Sequence, residues 1–220
     1  MVSTAILHPA ISAPPIETGL TSLFEQLGVV TAFRPEEEVC AQDEANDVVY
    51  LVLSGAVRSA RLLSDGRRQI SGFYYAGDVL GLATSLFHQP AVEALVDTRT
   101  IAVRRSALPH FGLPGERLER LLWRATSEEL ARVHDHMMLL ARKSAVERVA
   151  GFLEDIAQRA GGDWVFLPMP RQDIADYLGL SIETVSRMLT QLQGQRLVAF
   201  DGCRRFRICA SARLARLLAA

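Results

Sequence analysis

Cysteine is scarce in this 220-residue chain: Cys40, Cys203 and Cys209 are all it has. Three thiols so scattered make no disulfide framework, which points to a reduced, cytoplasmic location. Long apolar runs are missing too, and nothing approaches the ~20 residues that a membrane span needs. The first residues, MVSTAILHPAISAPPIETGL, lack a basic segment followed by an apolar one, so export is not expected. Signatures of catalysis are absent: there is no Gly-rich phosphate loop, no His-Glu-x-x-His and no Gly-x-Ser-x-Gly. The carboxylates form no paired arrangement, so an enzyme is not expected. His134 and His136 stand two residues apart on an expected helix, so they face different sides and make no metal pair.

An excess of one charge is lacking as well, since the formal net charge is −1. The distribution is less even than the sum. Residues 1–143 hold 14 Lys/Arg against 17 Asp/Glu, and residues 144–220 hold 10 against 8. From residue 187 onward there are seven arginines and a single acid, Asp201. Phosphate binding needs local positive charge of this kind, whatever the overall balance. With 49 % apolar residues the chain is globular and long enough for two modest domains.

Residues 1–20, with three prolines and little periodicity, read as a flexible N-terminal arm. Thr21–Leu27 reads as a short helix. Between about 30 and 108 the chain breaks into short β-type runs punctuated by Gly and Asp turns. Val48–Leu53 ends at Ser54-Gly55, Val57–Leu63 at Ser64-Asp65-Gly66, and Gln69–Tyr75 at Gly77-Asp78, while Val92–Val103 closes the series. Such regular turn spacing predicts a β-roll or jelly roll. Glu116–Lys143 then runs 28 residues without Gly or Pro. Trp123, Leu130, Val133, Met137 and Leu140 fall largely on a 3–4 spacing along it, which favours a dimer coiled coil over packing on the chain's own β domain.

The stretch PRQDIADYLGLSIETVSRMLTQLQ (170–193) carries most information. A first helix, Gln172–Leu178, stops at Gly179, a residue that tolerates the left-handed turn conformation. Ser181 stands where a helix N-cap belongs. Val185, Leu189 and Leu192 form the inner stripe of a second helix, leaving Glu183, Ser186, Arg187 and Thr190 on the outer one. Arginine can fork onto guanine, glutamate can accept from a cytosine amino group, and serine can bond either way. Two short helices about a Gly turn, with a polar face on the second, fit a helix-turn-helix. Leu197–Phe200, an Asp201-Gly202 turn and Arg205–Ile208 then predict a hairpin, the wing of a winged helix.

This stretch resembles the helix-turn-helix of the Crp–Fnr superfamily of bacterial transcription regulators. It is most similar to the FixK and Fnr branches, whose recognition helices carry E-x-x-S-R, here Glu183, Thr184, Val185, Ser186 and Arg187. The cyclic-AMP receptor branch has Arg just before that Glu, where this chain has Ile182. YLVLSGAVR, the DGR turn and GDVLGL resemble the cyclic-nucleotide-binding fold, and DHMMLLARKSAVERVA (135–150) resembles the FixK/Fnr junction between dimer helix and DNA-binding domain. The similarity covers roughly residues 20–220. It implies an α+β protein: a β-roll over 21–115, a dimerisation helix over 116–143 and a winged helix-turn-helix over 144–220.

For the residues, the resemblance implies base reading by Glu183, Ser186 and Arg187, with phosphate contacts from Arg171, Gln172, Ser181 and Thr184. Arg204 and Arg205 in the wing are expected at phosphates too. The implied target is double-stranded promoter DNA carrying an interrupted palindrome, TTGAT/C–N4–G/ATCAA, bound by a homodimer with RNA polymerase as partner. Arg67 and Arg68, expected to be exposed in the Asp-Gly turn, are candidate polymerase contacts. A cyclic-nucleotide site needs an Arg for the phosphate. Residues 81–94, GLATSLFHQPAVEA, have none, and Glu93 is expected to repel a phosphate. An Fnr-type iron–sulfur cluster needs four thiolates, more than one subunit offers. No cofactor is therefore expected. The alternative is a ligand-gated sensor of the same fold, taking haem, nitric oxide or another small molecule; His8, His88 and His110 are the histidines it would have to use for haem.

Overall fold

The computed structural model describes residues 18–43, 45–83 and 90–219. The expected arm up to residue 17, His8, and residues 84–89 with His88 lie outside them. Helix α1 (Thr18–Leu27) leads into eight strands: β1 (Val29–Phe33), β2 (Glu38–Cys40), β3 (Val48–Ser54), β4 (Ala56–Leu62), β5 (Arg68–Tyr75), β6 (Val79–Leu80), β7 (Ala91–Ala94) and β8 (Thr98–Arg104). They form two antiparallel sheets, ordered β1-β8-β3-β6 and β2-β7-β4-β5.

Alternation along the strands sends one set of side chains between the sheets and another outward. Val39, Cys40, Val52, Val57, Leu80 and Val92 make the core between them. Val49 and Leu51 of β3, with Ile101 and Val103 of β8, form a second core under Leu20 and Phe24 of α1. This is the expected β-roll, with one difference. Val92–Val103 is not a single run: β7 belongs to one sheet and β8 to the other.

The reason lies at a crossing of two chain segments. Between β3 and β4 the chain changes sheets at Gly55, and between β7 and β8 it changes back at Leu95–Asp97. The two changes touch. The Thr98 hydroxyl donates to the Val96 carbonyl (2.8 Å) and accepts from the Ala56 amide (3.2 Å). Gly55 has φ +90°, and a Cβ there would lie 2.4 Å from Thr98 Oγ1 and 2.6 Å from the Asp97 carbonyl. Only glycine fits both the dihedral and the space.

A 3-10 turn (Arg105–Phe111) leads into α2 (Leu113–Arg142), 30 residues long. It begins earlier than the expected Glu116 because Pro114 sits in the first turn, where a missing N–H costs no helical hydrogen bond. Leu118, Leu122 and Ala125 pack it onto the outer face of the first sheet. The helix ends at Lys143, which is extended. Ser144 then caps α3 (Ala145–Ala160), with the Ser144 amide donating to Glu147 (2.9 Å) in a capping box.

The remaining elements are β9 (Val165–Phe166), α4 (Arg171–Leu178), α5 (Ile182–Gly194), β10 (Val198–Asp201), β11 (Arg205–Ile208) and α6 (Ser211–Ala219). The strands pair antiparallel in the order β10-β11-β9. The sequence does not announce β9, which is two residues long. Arg213 and Arg216, which read as a basic tail, lie on α6, held to α3 through buried Leu214. One core joins Leu153 and Ile156 of α3, Ile174 and Leu178 of α4, Val185, Leu189 and Leu192 of α5, and Phe206 of the wing. It continues without a break into Ala56, Tyr75 and Leu95 of the β-roll.

Replacing Gly55 by Ala should destabilise the fold by about 1–3 kcal/mol, the usual cost of forcing a side chain into a strained backbone position. Urea unfolding followed by circular dichroism reads this directly. An unchanged midpoint would show that the crossing relaxes.

Candidate nucleic-acid interface

Helix α5 is held by its apolar stripe and shows its polar stripe to solvent. Val185, Leu189 and Leu192 are buried, while Glu183, Arg187 and Thr190 are exposed and Ser186 is half-buried. Gly179, at φ +62°, closes α4 by donating its amide to the Ala175 carbonyl. Ser181 Oγ accepts from the Thr184 amide at 3.2 Å, which makes it the N-cap of α5. The pair of helices and its turn are where the sequence puts them, and α4 starts one residue earlier, at Arg171.

The three residues expected to read bases stand on one face. Arg187 Nη2 lies 3.4 Å from Thr184 Oγ1, a long hydrogen bond that leaves the fork exposed. The hydroxyl of Ser181 and the Glu183 backbone amide lower the pKa of Glu183, so it presents a carboxylate at neutral pH. Ser186 Oγ accepts from Arg171 Nη1 at 3.3 Å, which carries Arg171 from the start of α4 onto the α5 face. Gln172 is exposed and donates its side-chain amide to Asp176 Oδ1 (2.7 Å). Two hydrogen-bonded sets, Arg171–Ser186 and Ser181–Thr184–Arg187, thus lie along the N-terminal half of α5. Backbone N–H groups at a helix start add partial positive charge there.

The wing contributes a second positive region. Arg204 and Arg205 are exposed in and after the β10–β11 turn, and Arg205 Nη1 reaches Asp201 Oδ2 at 3.3 Å. Trp164, just before β9, is a residue the sequence reasoning passed over. Arg207 stacks over its ring at 5.1 Å and Arg205 at 5.8 Å. Arg207 also pairs with Asp163 at 3.4 Å. The ring is a platform that orients two of the wing's arginines. Its signal was an isolated Trp beside Gly161-Gly162-Asp163, too local to connect with arginines forty residues on.

Helix α2 separates two faces. Leu118, Leu122 and Ala125 face the chain's own β-roll, whereas Trp123, Leu130, Val133 and Met137 are exposed and Leu140 is half-buried. Trp123 and Leu130 are 72 % and 70 % exposed, high values for side chains of this kind. His134 is exposed; His136 instead stacks on Tyr177 of α4, ring centroids 4.0 Å apart. Among the described residues no group of three His, Cys, Asp or Glu could hold a metal ion. Likewise, no described helix is long and apolar enough to cross a membrane.

Two expectations need correction. Arg68 does not stand free in the Asp-Gly turn with Arg67. Arg67 is exposed and pairs with Asp65 (2.7 Å), but Arg68 is the first residue of β5 and its guanidinium bonds to Asp173 and, at 3.1 Å, to Asp176. Strand alternation turns successive residues to opposite sides, and Arg68 faces α4. Glu93 does not confront a phosphate inside the roll either. It is in register with Arg58 across β7 and β4, and Arg58 Nε donates to its Oε2 at 2.8 Å. Its neighbour Val92 is the one that points inward.

The comparisons agree with this architecture. A Crp-like helix-turn-helix domain matches residues 147–217, and a cyclic nucleotide-binding domain matches residues 30–111. The chain is 41 % identical over 185 residues to the nitrogen fixation regulation protein FixK of Azorhizobium caulinodans, covering 81 % of this chain and 75 % of that one. It is 39 % identical over 191 residues to the transcriptional activatory protein AadR of Rhodopseudomonas palustris, covering 82 % and 79 %. The solved structure of FixK2 from Bradyrhizobium japonicum superposes with a TM-score of 0.82 at 45 % identity, over 88 % of this chain and 98 % of that one. With a DNA-reading helix pair, a nucleotide-binding-type β domain and such relatives, the chain belongs to the Crp/Fnr family as a FixK-like, DNA-binding transcription regulator rather than an enzyme.

Proposed function

We propose that this protein is a cytoplasmic homodimer that activates transcription by reading a TTGAT/C–N4–G/ATCAA palindrome, with neither cyclic nucleotide nor iron–sulfur cluster. The observation that carries the reading is the solvent-facing Glu183–Ser186–Arg187 stripe, its two charged residues exposed, on a helix whose opposite stripe is buried. Arg187 forks onto a half-site guanine, Glu183 accepts from a cytosine amino group, and Ser186 contacts the neighbouring base. Arg171, Gln172, Ser181, Thr184, Arg204 and Arg205 hold phosphates and set the register. Activation is supported by the name of the AadR relative, a transcriptional activatory protein; it would run through contact with RNA polymerase, for which Arg67, exposed in its turn, is one candidate.

The dimer is inferred from α2. Its stripe of Trp123, Leu130, Val133 and Met137 stays exposed beside its own β-roll, and a second copy of the same stripe would cover it. Pairing along α2 places two recognition helices about one DNA turn apart, ~34–36 Å, as a palindrome demands. On this basis residues 116–143, the body of α2, form the dimerisation unit, between a β-roll ending near 115 and a winged helix beginning near 144.

A second reading rests on one observation. Between the second sheet and α2 lies a cavity of about 280 Å³, walled by Tyr74, Leu80, Leu82, Val92, Leu130 and Val133 among others. It is mostly apolar, and a small apolar effector bound there would touch the dimer stripe directly. Ligand-gated DNA binding is the form that reading takes.

Binding of the purified, untreated protein to a TTGAT–N4–ATCAA duplex at ~0.15 M salt separates the two readings, with a TGTGA palindrome as control. Selective binding without additive is expected; binding that appears only with an effector would favour the sensor. Arg187→Ala should cost on the order of 1–3 kcal/mol per half-site and blur the guanine position. If discrimination survives unchanged, Arg187 does not read the base. By contrast, Arg204→Ala should weaken all sequences alike and flatten the salt dependence by about one unit per half-site. A changed base preference in that variant would assign Arg204 a different role. Leu130→Asp should turn the dimer into a monomer by light scattering and abolish the preference for two half-sites. A dimer of unchanged mass would move the interface elsewhere.

A further inference from the structure

The sheet β2-β7-β4-β5 carries a buried charge cluster beneath the DNA-reading helix pair, joined to its face through Gln172 and Asp176. Arg58 of β4 is 5 % exposed and Asp173, in the first turn of α4, is 1 % exposed. Each of the three guanidinium nitrogens of Arg58 donates to a carboxylate. Its Nη1 donates to Asp173 Oδ2, its Nε to Glu93 Oε2 and its Nη2 to Glu36 Oε2, each at 2.8 Å. Arg68 of β5 bonds to the other Asp173 oxygen, and its Nε and Nη2 reach Asp176 Oδ2 at 3.2 and 3.1 Å. Gln69 Nε2 adds a bond to the Asp176 carbonyl at 3.1 Å. Burial opposes the charge on Arg58, but the Glu93 and Asp173 carboxylates outweigh it and keep the group protonated.

A cluster of this kind does something that apolar packing cannot. Contact between α4 and the sheet through apolar side chains is non-directional and permits sliding. A planar guanidinium held by three carboxylates fits in one orientation only. With Arg68, Gln69 and Arg58 taking Asp173 and Asp176 from two strands, α4 is fixed in angle as well as in place. Helix α5 follows, because Ile174 and Leu178 of α4 share one core with Val185, Leu189 and Leu192.

We propose that Arg58 and Arg68 are positioning residues for DNA recognition, fixing α4 on the β-roll so that the two recognition helices of a dimer meet both half-sites at one spacing. Buried under α4, Arg58 makes no contact with DNA; it acts through Asp173. The proposal rests on the palindrome-reading dimer of the preceding section. It predicts that loosening the cluster spares each winged helix yet impairs their joint use.

The test compares Arg58→Gln and Arg68→Gln with the natural chain on a half-site duplex, the full palindrome, and palindromes with the spacer shortened or lengthened. Light scattering and circular dichroism confirm a folded dimer. Half-site affinity should stay within about twofold, since neither arginine lies on the α5 face. The full-site to half-site ratio should fall on the order of tenfold, and the spacer preference should flatten. Should Arg58→Gln not fold, the Arg68→Gln variant, at a partly exposed position, carries the test. Folded variants that keep the natural ratio and spacer preference overturn the proposal, as does an equal loss on half and full sites. If the natural chain itself shows no full-site preference, the failure belongs to the palindrome-reading function instead.

Discussion

A single helix has to be buried and readable at once, and the rest of the molecule is arranged around that constraint. Helix α5 turns 100° per residue, so its apolar and polar positions separate into two stripes. Val185, Leu189 and Leu192 sink into the core of α3, α4 and the wing. The opposite stripe is left with Glu183, Arg187 and Thr190 in solvent. Burial of side chains of this size stabilises by roughly 1.5–3 kcal/mol each, enough to hold a helix whose outer face is charged. The Ser181 cap and the Gly179 turn then set where that helix begins.

The buried charges work differently. Asp78, 1 % exposed in the turn before β6, accepts from Arg132 of α2 (2.9 Å) and Arg159 of α3 (3.2 Å), while Asp173 sits between Arg58 and Arg68. Buried ion pairs add little net stability, because desolvation offsets most of the attraction, but losing one partner is costly. Their contribution here is directional. Together they tie the β-roll, α2, α3 and α4 into one arrangement, so the orientation of the DNA-reading face is not left to the short connection at Lys143-Ser144.

Helix α2 carries two apolar faces with different fates. Its Leu118–Leu122–Ala125 face completes the β-roll, and its Trp123–Leu130–Val133–Met137 face is left exposed, the face on which the proposed dimer rests. Both stripes have helical spacing, and the sequence alone favoured the second without finding the first. Glycine also has a dual part. At Gly55 it answers a contact between two sheet-changing segments, and at Gly179 a left-handed helix end.

Local chemistry was legible in the chain before any coordinates. The helix-turn-helix, its N-cap, the E-x-x-S-R face, the Asp-Gly hairpin and most strands follow from periodicity and turn residues, which depend on neighbours a few positions apart. Pairings at long range were not. That Val92–Val103 spans two sheets, that Glu93 turns outward to Arg58, that Arg68 reaches Asp176, and that Trp164 lies under Arg205 and Arg207 all involve residues far apart in sequence. The sequence by itself determined which helix could read DNA, because helical period and side-chain chemistry are local properties. Only the tertiary structure decided how that helix is aimed, because its angle is set by charges on strands more than a hundred residues away.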